Sequence, residues 1–206
     1  MKLRSDGFLH RRAMPTRYAL GRYRFYPRDL PEDERFELSD NLSPHLAWED
    51  VPDGTRSFGL ICTDPEAPSE ATDVNQVGQT VARDLPRTDF IHWVLIDVPG
   101  DWREIAEGSF SKGVTPGGKD GPEGPEGTRQ GLNDYTSFFA EDEDMKGRYF
   151  GYDGPAPPWN DELIHWYVFR LYALDVEKLE VEGELTAEAV RKAMEGHVLA
   201  EAELAG

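Results

Sequence analysis

The run from Ile164 to Leu174 constrains this chain more than any other. One alternate set of its residues reads His165, Tyr167, Phe169, Leu171, Ala173, and the other reads Trp166, Val168, Arg170, Tyr172, Leu174. Successive side chains of a strand point to opposite faces, so a strand apolar on both faces except at Arg170 must be covered on both. The period-two reading predicts a central strand over 164–174 in a layered structure. Two other runs repeat the signal. In 58–64 one face carries Phe58, Leu60 and Cys62 with Asp64 in phase, and in 90–97 His92 is expected to share a face with Phe90, Val94 and Ile96.

Between these runs the punctuation is heavy. Residues 113–127 hold 6 Gly and 3 Pro, which sustain neither a helix nor a central strand. Two long connections are expected, 69–89 and 113–150, and loops of that length inside a compact domain tend to be functional. The one clear helical pattern is late: Thr186 as N-cap, Glu188 in the first turn, an apolar stripe of Ala189, Val190, Ala193 and Met194, and Gly196 as the stop. No internal repeat or linker divides the chain, so 1–206 reads as a single domain. Many strands followed by one helix indicate a mainly antiparallel β fold.

Charge narrows the function. Lys and Arg number 22 against 40 Asp and Glu, a formal charge of −18. A phosphate backbone or an anionic lipid surface is bound through basic side chains, so nucleic acid is excluded as a partner and docking on anionic membranes is disfavoured. Lys supplies only 6 of the 22 basic residues, a balance that fits a protein adapted to concentrated salt. The lone cysteine, Cys62, rules out an internal disulfide framework and reads as an inert buried thiol in a reducing compartment. The first residues carry charges where a leader peptide needs an apolar run, and nothing approaches a membrane span, so a cytoplasmic location is expected.

Three segments place an ionisable residue where core side chains are expected: Asp64-Pro65-Glu66-Ala67-Pro68, the His92 strand, and 154–158 running into His165 and Tyr167. His165 and Tyr167, two apart, project to one side. Two imidazoles, a phenol and a carboxylate can serve in two ways. They can form an anion recess, in which histidines and tyrosine donate and Asp64 orients a histidine, or a two-histidine, one-carboxylate metal site at His92, His165 and Asp64. Spacing does not separate the two, and no catalytic fingerprint promotes an enzyme class. His10, His45 and His197 read as structural or solvent-facing.

The chain resembles the phosphatidylethanolamine-binding protein family, in its bacterial and archaeal Raf kinase inhibitor-like branch. The resemblance is carried by seven stretches in family order: 42–58 (Leu42-Ser43-Pro44-His45 through Phe58), 64–68, His92-Trp93, Gly131-Leu132-Asn133-Asp134-Tyr135, Gly151-Tyr152-Asp153-Gly154-Pro155-Ala156-Pro157-Pro158, 165–169, and Gly196-His197-Val198-Leu199-Ala200. It implies a Greek-key β-sandwich with a small C-terminal helical element. It also implies a non-enzymatic anion pocket formed by Asp64, His92, His165, Tyr167 and the Ala156 N–H, with Phe90, Pro157 and Trp159 around it and with neither metal nor cofactor. The implied ligands are phosphate or phosphorylethanolamine-type headgroups. A protein kinase or a protease is an implied partner, and a homodimer a further expectation. The alternative is a metal-dependent or histidine-based phosphate-ester hydrolase in the same pocket. Three departures stand out: Leu163-Ile164-His165-Trp166 where the family carries Gly-x-His-Arg, Ala156 where glycine is common, and Trp159-Asn160-Asp161 after the double proline, expected to reshape the rim and set an aromatic over the ligand.

Overall fold

The computed structural model describes residues 1–24, 31 and 35–206. Strands β1 (Lys2–Arg4), β2 (Gly21–Tyr23), β3 (Phe36–Leu38), β4 (Leu46–Glu49), β5 (Ser57–Pro68), β6 (Arg87–Pro99) and β7 (Glu104–Ile105) come first. Then follow β8 (Gly118–Lys119), β9 (Arg129–Gln130), helix α1 (Tyr135–Phe138), β10 (Arg148–Tyr149), β11 (Val168–Leu174), α2 (Ala187–Ala193) and β12 (Val198–Ala205). Five strands form the main sheet in the order β12-β11-β5-β6-β9, antiparallel throughout. A three-stranded sheet, β1-β4-β7, lies against one face of it. The fold is mainly antiparallel β, as the period-two runs predict; the short β8–β10 pair is parallel.

The two faces of β11 explain the layers. Phe169, Leu171 and Ala173 join Phe58, Leu60 and Cys62 of β5, Trp93 and Leu95 of β6, and Leu46 and Trp48 of β4 in the core between the sheets. On the opposite face Ile61, Val94, Ile96 and Leu174 receive Ala187 and Val190 of α2 and Met194 just after it. Burying side chains of this size contributes roughly 1.5–3 kcal/mol each. The helix begins as its sequence indicates: the Thr186 hydroxyl accepts from the Ala189 N–H at 3.3 Å, and Gly196 takes φ +81° just beyond the end.

Three expectations are corrected. The strand predicted from residue 164 begins at Val168, because the backbone before it is satisfied elsewhere: the Leu163 N–H donates to Asp161 and the Trp166 N–H to Glu66, while Ile164 is 77% exposed. The long connections are shorter than drawn. The first yields β6 from Arg87, and 113–150 contains β8, β9, α1 and β10. Thirdly, His92 does not share a face with Val94 and Ile96. Cys62 pairs with Trp93 and Thr63 with Ile91, so His92 is the extra residue of a β-bulge. Beyond it Val94 and Ile96 face α2, whereas His92 packs against Phe90, Tyr135 and Tyr167.

Candidate ligand-binding site

The bulge delivers His92 to a recess that β5 and the chain before β11 complete. Asp64 ends the regular pairing of β5 opposite Phe90, and the Glu66 N–H donates to its Oδ1 at 2.9 Å. Its other oxygen, Oδ2, lies 2.6 Å from His165 Nδ1. The second ring nitrogen of His165, Nε2, lies 3.2 Å from Asp161 Oδ2. Asp161 in turn pairs with Arg87, whose Nη2 donates to Oδ1 at 3.0 Å. Burial opposes a charge on His165, but hydrogen bonds and attraction from Asp64 and Asp161 outweigh it and hold its pKa above the ordinary value. His165 is thus an imidazolium clamped between two carboxylates.

His92 is held differently. Its Nδ1 lies 2.8 Å from the Asp153 carbonyl, and the Asp153 N–H donates to the His92 carbonyl at 3.0 Å. A carbonyl only accepts, so Nδ1 carries the proton. Burial pushes the His92 pKa down, against the pull of Asp64, Asp153 and Asp134. Asp153 is itself fixed. Asn41 and Asn133 donate to its carboxylate at 2.7 and 2.8 Å, and Lys119 Nζ lies 3.0 Å away. Tyr167 stands edge-on to the His92 ring, with centroids 5.0 Å apart, and burial raises its pKa. Among the described residues, the Tyr167 hydroxyl, the Ala156 N–H and His92 Nε2 have no hydrogen-bond partner.

These groups form the floor of a cavity of about 680 Å³. Asp64, Phe90, His92, Ala156, Pro157, His165 and Tyr167 all line it, so the structure brings together seven of the eight residues singled out from sequence. Trp159 stands apart. Its ring stacks on Tyr23, with centroids 5.2 Å apart, instead of covering the recess. The walls are largely apolar: Phe138, Phe139 and Met145 on one side, Ala71 and Val74 on another, with Phe36 and Leu38 also lining it. The lining carries Asp64, Asp89, Asp134 and Asp142, but neither Lys nor Arg among the described residues. Gly154, just before Ala156, permits this wall. A Cβ there would fall 1.8 Å from the Tyr18 carbonyl oxygen.

The connection over 69–86 is a cavity wall. Asn160 staples it: its Nδ2 donates to the Asp73 and Gln79 carbonyls at 2.8 and 3.1 Å, and its Oδ1 accepts from the Asn75 N–H at 2.9 Å. Asp153, Asp134 and Arg87 are absent from the residues expected at the site, and Asn160 and Asp161 are expected only at its rim. The signal for the last two was the unusual Trp159-Asn160-Asp161, whose polar members, not its aromatic, reach inward. The other histidines lie outside the cavity lining. His10 accepts from the Ala205 N–H, His45 accepts from the Asp6 N–H, and His197 pairs with Asp175 at 2.8 Å. Cys62 is buried in the inter-sheet core, and burial pushes its thiol pKa well up. Among the described residues no group of three or more His, Cys, Asp or Glu side chains is arranged to hold a metal ion, and no helix is long and apolar enough to cross a membrane.

Comparison with known proteins places this architecture. A UPF0098 protein of Methanothermobacter thermautotrophicus is 32% identical over 206 residues, covering 100% of this chain and 97% of its own. One from Aquifex aeolicus is 36% identical over 168 residues, 81% of this chain and 73% of its own. Among solved structures, a phosphatidylethanolamine-binding protein homologue from Chlamydia trachomatis superposes with a TM-score of 0.61 at 26% identity, covering 100% of this chain and 94% of that one. The fold is shared with YbcL of Escherichia coli, described as a member of the mammalian family, at a TM-score of 0.66 and 22% identity over 99% and 94% of the two chains. The family model described as phosphatidylethanolamine-binding protein matches residues 6–206, and with the arrangement of strands and site just described, this chain belongs to the phosphatidylethanolamine-binding protein family.

Proposed function

We propose that this is a binding protein that holds a small oxyanion, of the phosphate or phosphorylethanolamine type, at the floor of the cavity and lays the rest of the ligand along its apolar wall. The observation that carries this reading is the pair of donors, the Tyr167 O–H and the Ala156 N–H, left without a protein partner beside the cationic ring of His165. A ligand oxygen that accepts from both donors gains the net value of two hydrogen bonds, about 0.5–1.5 kcal/mol each. The proportions fit a small-molecule site, an apolar cleft with a few convergent polar groups.

Binding without turnover is the simpler reading of the same geometry. Both nitrogens of His165 and one of His92 are engaged by protein acceptors, and no hydroxyl or thiol donates to the remaining one among the described residues. Calorimetric titration with inorganic phosphate and with phosphorylethanolamine tests the proposal. Tyr167→Phe removes one neutral hydrogen bond and should lower affinity about fivefold to tenfold without shifting the melting temperature. Undiminished affinity in both Tyr167→Phe and His92→Ala would remove the recess as the binding site.

A further inference from the structure

The two histidines of the recess are not equivalent, and the difference dictates what kind of anion fits. His165 is cationic, but each of its N–H groups is committed to a carboxylate, Asp64 on one side and Asp161 on the other. It offers positive charge without a free donor. His92 has one nitrogen for a ligand, Nε2. Its Nδ1–H is spent on the Asp153 carbonyl, and that carbonyl cannot readily turn away because Lys119, Asn41 and Asn133 grip the Asp153 carboxylate. With the proton fixed on Nδ1, neutral His92 presents a lone pair to the cavity, which repels a bare oxyanion and accepts a hydrogen bond from a protonated one.

On the reading that the cavity holds an oxyanion, we propose that it selects oxyanions bearing a proton of their own: the P–O–H of a monoprotonated phosphate or phosphate monoester donates to His92 Nε2, while its other oxygens accept from Tyr167 and Ala156. The ligand brings the donor that the protein withholds. Discrimination follows against sulfate, which has no proton at neutral pH, and against phosphodiesters, whose acidic proton has been replaced by a second ester. Free phosphate and monoesters are therefore favoured over the diester headgroup of an intact phospholipid.

The surroundings agree. The groups facing His92 are Asp64 from β5, Asp153 from the segment after β10, Asp134 and Tyr135 at the start of α1, and Tyr167 before β11. None is a cation. Burial favours the neutral form of the His92 ring against the pull of the three carboxylates. With Asp64, Asp89, Asp134 and Asp142 and no Lys or Arg in the described lining, a ligand of lower charge is also the less repelled one.

Calorimetry on the full chain at matched ionic strength tests this with two pairs of probes: inorganic phosphate against sulfate, and phosphorylethanolamine against glycerophosphorylethanolamine, which share an ammonium and differ in the P–O–H. At pH 7 phosphate should bind at least tenfold more tightly than sulfate. At pH 6 the monoester should exceed the diester by a similar factor. Above its second ionisation, near pH 6, the monoester should lose about tenfold in affinity per pH unit and take up a proton on binding, read from buffers of different ionisation enthalpy. His92→Gln, whose amide can turn a donor inward, should bring phosphate and sulfate within about threefold. Should that variant fail to fold, the wild-type pairs and the proton count decide alone. Equal affinity for phosphate and sulfate at pH 7, or monoester binding without proton uptake at pH 8, overturns the inference while leaving the oxyanion site standing. Absence of phosphate and phosphorylethanolamine binding at every pH overturns both.

Discussion

Asp161 Oδ2 lies 3.2 Å from His165 Nε2, on the edge of the ring opposite the one that meets Asp64. A residue only four positions earlier in the chain therefore caps the nitrogen that would otherwise open toward the ligand, and the same carboxylate receives Arg87 from the start of β6. The His165 charge and the start of β6 are tied to one side chain.

Replacing Asp161 by Asn keeps its size and removes that tie. The pKa of folded His165 is raised, so its stabilising contribution is fully present below its unfolded value of about 6.5 and fades as pH rises through the folded value. Asp161→Asn should therefore destabilise more at pH 6, by about 3 kcal/mol, than at pH 9, where only the loss of the Arg87 pair persists. Urea unfolding at the two pH values measures the difference, and the His165 imidazole resonance should titrate lower in the variant. An equal loss at both would mean that His165 does not change its charge between the two pH values.

The Asn160 staple can be cut without touching the floor. Asn160→Ala leaves the Asn75 N–H and the Asp73 and Gln79 carbonyls without their side-chain partner, a local loss of about 1–3 kcal/mol. Hydrogen exchange should quicken at the amides of 73–81 while β5 and β11 keep their protection. Loss of protection across the main sheet as well would show that the wall and the sheet open together.

Salt should strengthen ligand binding before it weakens it. A chain of charge −18 repels an incoming anion, and screening reaches a Debye length of about 10 Å at 0.1 M. Phosphate affinity is expected to rise between about 0.02 and 0.2 M sodium chloride, and thermal stability to rise with it as self-repulsion is screened. A monotonic fall in affinity over that range would mean that local positive charge dominates the approach.

The strands and the late helix were legible because their signals are local: alternation in 58–64 and 168–174, and a cap, a stripe and a glycine around α2. Polar residues in otherwise apolar runs pointed to Asp64, His92, His165 and Tyr167, which the fold does bring to one recess, whereas Ala156 beside them was named only through the family resemblance. What escaped was anything set by register or by a partner distant in sequence. Period two placed His92 with Val94 and Ile96 because a bulge leaves no mark in the composition; it exists only in the offset between Cys62↔Trp93 and Thr63↔Ile91. Helix α1 is a single turn, too short for a periodic signal. Trp159 looked like a ligand cover because aromatics often are, but Tyr23 offered it a stacking partner, and Asn160 and Asp161 turned inward instead.

Cys62 lies 1% exposed in the inter-sheet core, two residues before Asp64 on the same strand. It is the chain's one thiol, sealed where no reagent can reach while β5 stays paired, so the rate at which it is alkylated is a clock for the opening of that strand. Any molecule that settles on Asp64 and its neighbours must slow the clock in proportion to its occupancy. The protein thus carries its own ligand-screening label: a compound of any chemistry can be tried against it, with no engineered probe.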